Sequence, residues 1–80
     1  HDQAIGAYRQ HLEIARKIQD CKGESNALGN LGNLYHALGA YDAAIECHQQ
    51  RLPLARQLND QQTLGHTLSN LAAAYSAVHQ

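Results

Sequence analysis

Apolar residues recur in the first half of the chain in two runs with helical spacing. The first run consists of Ile5, Tyr8, Leu12, Ala15 and Ile18, and the second of Leu28, Leu31, Tyr35 and Leu38. Steps of three and four residues place side chains on one face of an α-helix. The pattern predicts helices near residues 2–20 and 24–38. Residues 20–23 are expected to break the first helix, and Gly39 to provide the left-handed residue after the second.

The second half of the chain repeats this arrangement. Its runs consist of Ile45, His48, Leu52, Ala55 and Leu58, and of Leu64, Leu68, Leu71, Tyr75 and Val78. They predict helices near residues 42–59 and 63–79, with Asp42 placed favourably in a first turn. Pro53 lies inside the third helix. We expect a kink there with the helix continuing, because the apolar pattern runs past the proline.

An internal repeat of 40 residues relates the two halves of the chain. At that offset 13 of 40 aligned positions are identical, among them Asn30/Asn70 and Tyr35/Tyr75. Average residue usage would give roughly two or three identities. The repeat therefore indicates a duplication, and the short connections between long helices predict antiparallel neighbours.

Composition narrows the fold to the all-α class and excludes several functions. The chain has one proline, no Phe, Trp or Met, and a formal net charge of −1. Without a basic stripe we expect no nucleic-acid partner, and without an apolar stretch of about 20 residues we expect no membrane span. Cys21 and Cys47 form no CxxC motif, so we expect reduced thiols in a cytoplasmic protein.

The candidate chemical groups predict neither a metal site nor an enzyme. The histidines show no HxxH or HxxxH pair, the spacing that would align two ligands on one helix face. His48 occupies an apolar position equivalent to Tyr8, which favours a packed and hydrogen-bonded core residue. His36 and His66 could approach one another across neighbouring helices. No serine or cysteine has a base and an acid at a recognisable spacing, so we expect no catalytic site and no cofactor.

The stretch from Asn26 to Tyr35, followed by Gly39, Tyr41 and Ala44, resembles the tetratricopeptide repeat. The period of 40 residues is longer than the usual value of about 34. It looks like the Leu-Gly-Asn subclass of animal spindle-orientation scaffolds and of bacterial, notably cyanobacterial, arrays. The resemblance implies an α-solenoid of antiparallel hairpins, with four helices in B-A-B-A order. One full repeat, residues 24–60, would then lie between two half-repeats within a single domain, residues 1–80.

The resemblance also implies packing roles for individual residues. Gly32 would let the two helices of a hairpin approach closely, with Ala44 as the small contact opposite. Arg51 departs from the family pattern, which has a small residue there, but a long side chain can direct its charge to the surface. The arginines of the outer helices are expected to form a solvated face; they are Arg9, Arg16, Arg51 and Arg56.

In this family the A helices line a concave groove, and the resemblance implies that this groove binds an extended peptide or a partner protein. The residues concerned are Asn26, Asn30, Asn33 and Ala37 on the second helix, and His66, Asn70 and Ala73 on the fourth. Asn30 and Asn70 would hydrogen-bond the peptide backbone. The alternative is that both are solvated polar residues. This face has no Lys or Arg, so a carboxylate-clamp ligand is not expected.

A second functional hypothesis is self-assembly through the uncapped ends of the array. The apolar residues concerned are Ile5, Tyr8 and Leu12 at one end, and Leu64, Leu68 and Leu71 at the other. The last helix of one chain could pack on the first helix of another. That contact would give a homo-oligomer, as a ring or filament if it is head-to-tail and as a closed dimer if helices are swapped.

Overall fold

The computed structural model of the chain describes residues 2–79, which form four α-helices. They are α1 (Asp2–Lys17), α2 (Cys21–Ala37), α3 (Tyr41–Gln57) and α4 (Gln61–Val78). Each helix packs on its neighbour in sequence, and α2 also meets α4 along a short stretch. The expected all-α fold of helical hairpins is confirmed. None of the helices in residues 2–79 has the length and apolarity needed to cross a bilayer.

The connections between the helices share one backbone conformation. Gln19, Gly39 and Asn59 have φ angles of 58°, 80° and 54°, so the left-handed conformation expected at Gly39 is confirmed. At the end of α1 the N–H of Asp20 donates to the carbonyl of Ala15 at 2.8 Å. This is the Schellman arrangement, which satisfies carbonyls at a helix end. The left-handed residue stops each helix. α1 and α3 therefore end at Lys17 and Gln57, earlier than the predicted ends at residues 20 and 59.

The starts of α2 and α4 also differ from the prediction. The carboxylate of Asp20 accepts a hydrogen bond from the N–H of Gly23 at 3.0 Å, and that of Asp60 from Thr63 at 3.1 Å. Both aspartates are therefore helix N-caps. The hydrogen bonds from Thr63 also lower the pKa of the Asp60 carboxyl. Residues 20–23 are not simply a break, since they hold the cap and first turn of α2, which begins three residues earlier than predicted.

The third helix continues through its proline as expected. It runs without interruption from Tyr41 to Gln57, and Pro53 lies on its exposed side. Helix continuation past Pro53 is therefore confirmed. Beyond the proline, Leu54 packs against the core cluster and Ala55 is buried, so packing outweighs the hydrogen bond that the proline removes.

The core lies around α2, which is packed between α1 and α3. Its buried cluster consists of Leu12 from α1, Ala27, Leu28, Leu31 and Tyr35 from α2, and Ala44 and Cys47 from α3. A helix with neighbours on two sides must bury two adjacent apolar faces, which accounts for the large buried share of α2. The central position of α2 decides which other residues can line a groove.

The fourth helix buries only part of the side that its pattern predicts. Thr67, Leu71 and Ala74 are buried against the rest of the chain, whereas Leu68 and Tyr75 remain substantially exposed. The reason is that α4 packs on α3 and only briefly on α2. Within the described chain, the second apolar side of α4 therefore lies open to solvent.

Candidate functional site

The residues expected to line a groove all lie on accessible surface of α2 and α4. We call them the groove strip; Asn26, Asn30, Asn33, Ala37, His66 and Ala73 are exposed, and Asn70 is half-buried. The structure brings two of them together, because the Nδ2 of Asn70 donates to the Oδ1 of Asn33 at 3.4 Å. The amides of α2 and α4 thus meet through this pair and not through the repeat-equivalent pair Asn30 and Asn70.

A cavity of about 110 Å³ opens beside this pair of amides. We call it the groove cavity; it is lined by Asn33 and His36 of α2, His48 of α3, and Asn70 and Ala73 of α4. Three of these residues belong to the groove strip, whereas His36 and His48 were not predicted to line the site. His66, which the sequence allowed to approach His36, does not line the cavity. The polar side chains of its wall are therefore two imidazoles and two amides.

His48 is the most enclosed residue of this wall. Its side chain is only 1% exposed, and its Nδ1 has no hydrogen-bond partner among residues 2–79. The prediction of a packed residue is confirmed, but the prediction that it is hydrogen-bonded is wrong for Nδ1. Burial lowers the pKa of the imidazole, and the nearby charges of Arg51 and His36 lower it further. The neutral form of the imidazole is therefore favoured in the folded chain.

The close approach of α3 to α2 at His48 depends on Gly32. A Cβ on residue 32 would come within 2.5 Å of the Cε1 of His48. The expected role of Gly32 in helix approach is confirmed, with His48 as the side chain that fills the space. The sequence indicates this contact through His48, an imidazole at an apolar position of the third helix where the first repeat has Tyr8.

Arg51 is not part of a solvated face as expected. Its side chain is half-buried, its Nε donates to the hydroxyl of Ser25 at 3.2 Å, and its guanidinium lies against Gly29. Burial lowers the pKa of this guanidinium. Its positive charge acts on His48, which lies one helical turn earlier on α3, and the carboxylate of Asp60 in turn acts on Arg51.

Arg9, Arg16 and Arg56 are exposed, as expected of a solvated face. Two of them, Arg9 and Arg16, also connect helices. Arg9 donates to the hydroxyl of Tyr35 at 2.5 Å, while Arg16 pairs with Glu24 at 3.0 Å. The contact of Tyr35 recurs in the next repeat, where Gln49 donates to the hydroxyl of Tyr75 at 2.6 Å. The repeat in sequence is thus also a repeat in side-chain contacts.

The residues expected at a self-association surface divide into two groups. Leu12 and Leu71 are buried within the chain, where they pack on neighbouring helices. The prediction that these two residues form part of a self-association surface is therefore wrong. Ile5, Tyr8 and Leu64 are half-buried, and Leu68 is exposed. Further exposed apolar side chains, which sequence reasoning did not assign to this surface, are Ile14 and Ile18 on α1, and Tyr75 and Val78 on α4.

Repeated helical hairpins, repeated turns and repeated tyrosine contacts define the chain as a helical repeat protein. A family model described as "Tetratricopeptide repeat" matches residues 1–57 and 24–80, which together cover the chain. The chain belongs to the tetratricopeptide repeat family, and α1 and α3 are B helices while α2 and α4 are A helices. No individual curated protein matches it. Repeats of this family are in general protein-interaction modules.

Proposed function

We propose that this chain is an interaction module that binds an extended peptide along the groove strip. The observation that carries the proposal is the contact between Asn33 and Asn70, both of which line the groove cavity. Two A helices present amides there on accessible surface, beside a recess that a ligand side chain can enter. Such a pairing of polar groups with a concave recess is typical of ligand sites.

The chemistry of the groove strip fits the backbone of an extended peptide. An asparagine side chain both donates and accepts hydrogen bonds, as each peptide unit of a ligand requires. Asn30 is exposed, and the single contact between Asn33 and Asn70 is long at 3.4 Å. These amides therefore keep donor and acceptor capacity for a ligand. The small side chains of Ala37 and Ala73 leave room for its main chain.

The proposal is tested by selecting binders from a displayed library of random peptides and measuring the dissociation constant of a selected synthetic peptide. Replacing both Asn30→Ala and Asn70→Ala should weaken binding by about tenfold or more, because each lost hydrogen bond contributes roughly 1 kcal/mol. The matched control replaces two exposed amides of α1, Gln3→Ala and Gln10→Ala, and should leave binding unchanged. Undiminished binding by the asparagine double variant would contradict the proposal.

A second candidate function is head-to-tail self-assembly, which the exposure of repeat-equivalent residues favours. Leu28 is 1% exposed and Tyr35 9%, and both belong to the buried cluster that includes Ala44 and Cys47 of α3. Their equivalents Leu68 and Tyr75 are 49% and 40% exposed. The open side of α4 is thus the side that α2 uses to bind α3.

The other end of the chain offers the complementary surface. Ala44 and His48 of α3 are buried against α2, whereas their equivalents Ala4 and Tyr8 on α1 are half-buried. An α4 from one copy could therefore pack on α1 of the next copy by repeating the contact between α2 and α3. Such a contact uses different surfaces on the two partners and extends the array.

A further inference from the structure

A side-chain hydrogen bond joins the two B helices of the chain. The Nη2 of Arg16 on α1 donates to the Oε1 of Gln50 on α3 at 2.7 Å. Both residue types recur at the repeat distance, as Arg56 on α3 and Gln10 on α1. These two equivalents are exposed, and neither takes part in a side-chain hydrogen bond within residues 2–79. The chain therefore carries the two halves of a second contact of the same kind.

The two halves cannot meet within one chain. The B helices run parallel, because each packs antiparallel to the A helix between them. Gln10 precedes Arg16 by six residues, and Arg56 follows Gln50 by six. At a rise of about 1.5 Å per residue, Gln10 and Arg56 are therefore separated by roughly 18 Å along the helix axes. A second copy that places its α1 on α4 brings its Gln10 to the position that the repeat assigns to the partner of Arg56.

The open side of α4 presents the positions at which α2 binds α3. Gly29 and Gly32 of α2 are buried and lie against side chains of α3. Their equivalents Ser69 and Ala72 on α4 are exposed, as is Leu68. The part of α4 that corresponds to the contact between α2 and α3 is therefore uncovered within residues 2–79.

The two surfaces that would meet carry no Asp, Glu, Lys or Arg. The segment Gln61–Val78 contains none of these residues. On α3 the residues that pack towards α2 include Ala44, Cys47, His48 and Arg51. Their equivalents on α1 are Ala4, Ala7, Tyr8 and His11. Burial of the two surfaces against one another thus removes no Asp, Glu, Lys or Arg charge from water, which favours α1 of a second copy as the occupant.

The contact between copies is looser than the contact that it repeats. Ala72 carries the Cβ for which Gly32 has no room beside His48. The ring of Tyr8 is also larger than the imidazole that it replaces. Tyr8 must therefore turn away from the position of that imidazole, which separates the two helices at this point. Long side chains at the edge of the contact can still span such a gap.

We propose that a second copy binds through its α1 to the open side of α4, in the register that pairs Arg56 of one copy with Gln10 of the next. This inference rests on self-assembly, the second candidate function, and adds the register and the contact that selects it. The new hydrogen bond repeats that of Arg16 and Gln50. Gln10 lies on α1 and outside the groove strip, so this contact can be altered without changing the proposed peptide site.

Two variants with one blocked surface each test the direction of the contact. Leu68→Lys blocks α4 and Ala7→Lys blocks α1, and both alter exposed side chains, so circular dichroism should show unchanged helices. In sedimentation velocity, at concentrations where the unaltered chain associates, each variant alone should be a monomer. An equimolar mixture should form a dimer and no larger species, because it retains one open α4 and one open α1. Association of either variant alone, or a mixture that stays monomeric, would overturn the proposal.

Charge changes at Gln10 test the register. Gln10→Glu should tighten association by about threefold to tenfold, because a carboxylate accepts from Arg56 more strongly than an amide does. Gln10→Lys should weaken association by a similar factor, and adding Arg56→Glu to Gln10→Lys should restore it. The matched control is Gln62, since its equivalent Lys22 on α2 is exposed and lies outside the contact with α3. Glu or Lys at that position should leave association unchanged.

The outcomes distinguish this inference from self-assembly itself. An unaltered chain that remains monomeric at every concentration would remove both, and peptide binding would keep its own test. Association of equal strength in Gln10→Glu and Gln10→Lys would overturn the register and leave self-assembly standing.

Discussion

The imidazole of His48 on α3 occupies the space that a side chain on residue 32 of α2 would need. Three of its ring atoms would lie 2.5–2.9 Å from a Cβ on Gly32. The ring cannot turn aside easily, because the side chain is 1% exposed. The closeness of the two helices, and with it the wall of the groove cavity, therefore depends on one glycine and one imidazole.

Because His48 lies so close to Gly32, we predict that Gly32→Ala destabilises the chain. Alanine is the better helix former by about 1 kcal/mol, but overpacking of a dense core costs about 1–3 kcal/mol. We expect a net loss in the free energy of unfolding of about 1 kcal/mol, measured by urea titration. Gly65→Ala is the matched control, since no atom within residues 2–79 would contact its Cβ within 4 Å. It should stabilise the chain, and stabilisation by Gly32→Ala as well would contradict the argument.

The start of α3 is a place where stability can be gained. Asp20 and Asp60 cap α2 and α4, whereas the equivalent residue before α3 is Ala40, whose methyl group cannot accept a hydrogen bond. Ala40→Asp should raise the free energy of unfolding by about 1 kcal/mol. Ala40→Glu adds the same charge on a side chain that is poorly suited to capping, so it should give a smaller gain. If Ala40→Asp and Ala40→Glu raise the thermal unfolding temperature equally, the gain comes from the added charge and not from capping.

Because the imidazole of His48 is buried, we predict that the folded chain loses stability in mild acid. Its pKa is lowered in the folded chain by burial, Arg51 and His36, whereas an unfolded histidine has a pKa of about 6.5. As the pH falls below that value the unfolded chain binds a proton that the folded chain does not. The contribution of His48 is therefore fully present above the unfolded pKa and is lost as the pH falls towards the folded pKa. One proton corresponds to a slope of at most about 1.4 kcal/mol per pH unit.

The measurement is urea unfolding at several pH values between neutrality and pH 5. The His48→Phe variant should lack this part of the slope, and the His11→Ala variant should retain it. If His48→Phe and the unaltered chain lose stability in parallel, the acid sensitivity comes from other groups.

The sequence was sufficient to predict the helices and the family, because both follow from local spacing. Tyr35 and Tyr75 lie at the same place in two repeats, and each accepts a hydrogen bond from an equivalent position, Arg9 or Gln49. A pattern that repeats in sequence must place equivalent side chains in equivalent surroundings, provided that the neighbouring helix is present.

The same reasoning explains what the sequence could not predict. An apolar spacing indicates that one side of a helix avoids water, but not whether another helix covers it. Leu68 has the spacing of a core residue and remains exposed, whereas Thr67, which the pattern omitted, is buried against the rest of the chain. The groove cavity was missed for a related reason, since it combines His36, His48 and Asn70 from three helices. No spacing along the chain links such residues.

The open side of α4 leads to a final prediction about assembly. If α4 of one copy packs on α1 of the next, the apparent mass in light scattering should rise with chain concentration. Leu68→Lys places a charge in that contact and should shift the chain towards the monomer, because burying a leucine contributes roughly 1.5–3 kcal/mol, or about tenfold or more in affinity. The matched control is Leu38→Lys, which alters a leucine of similar exposure in the turn between α2 and α3. An unaltered chain that stays monomeric at every concentration would rule out self-assembly, and peptide binding would then be the function to pursue.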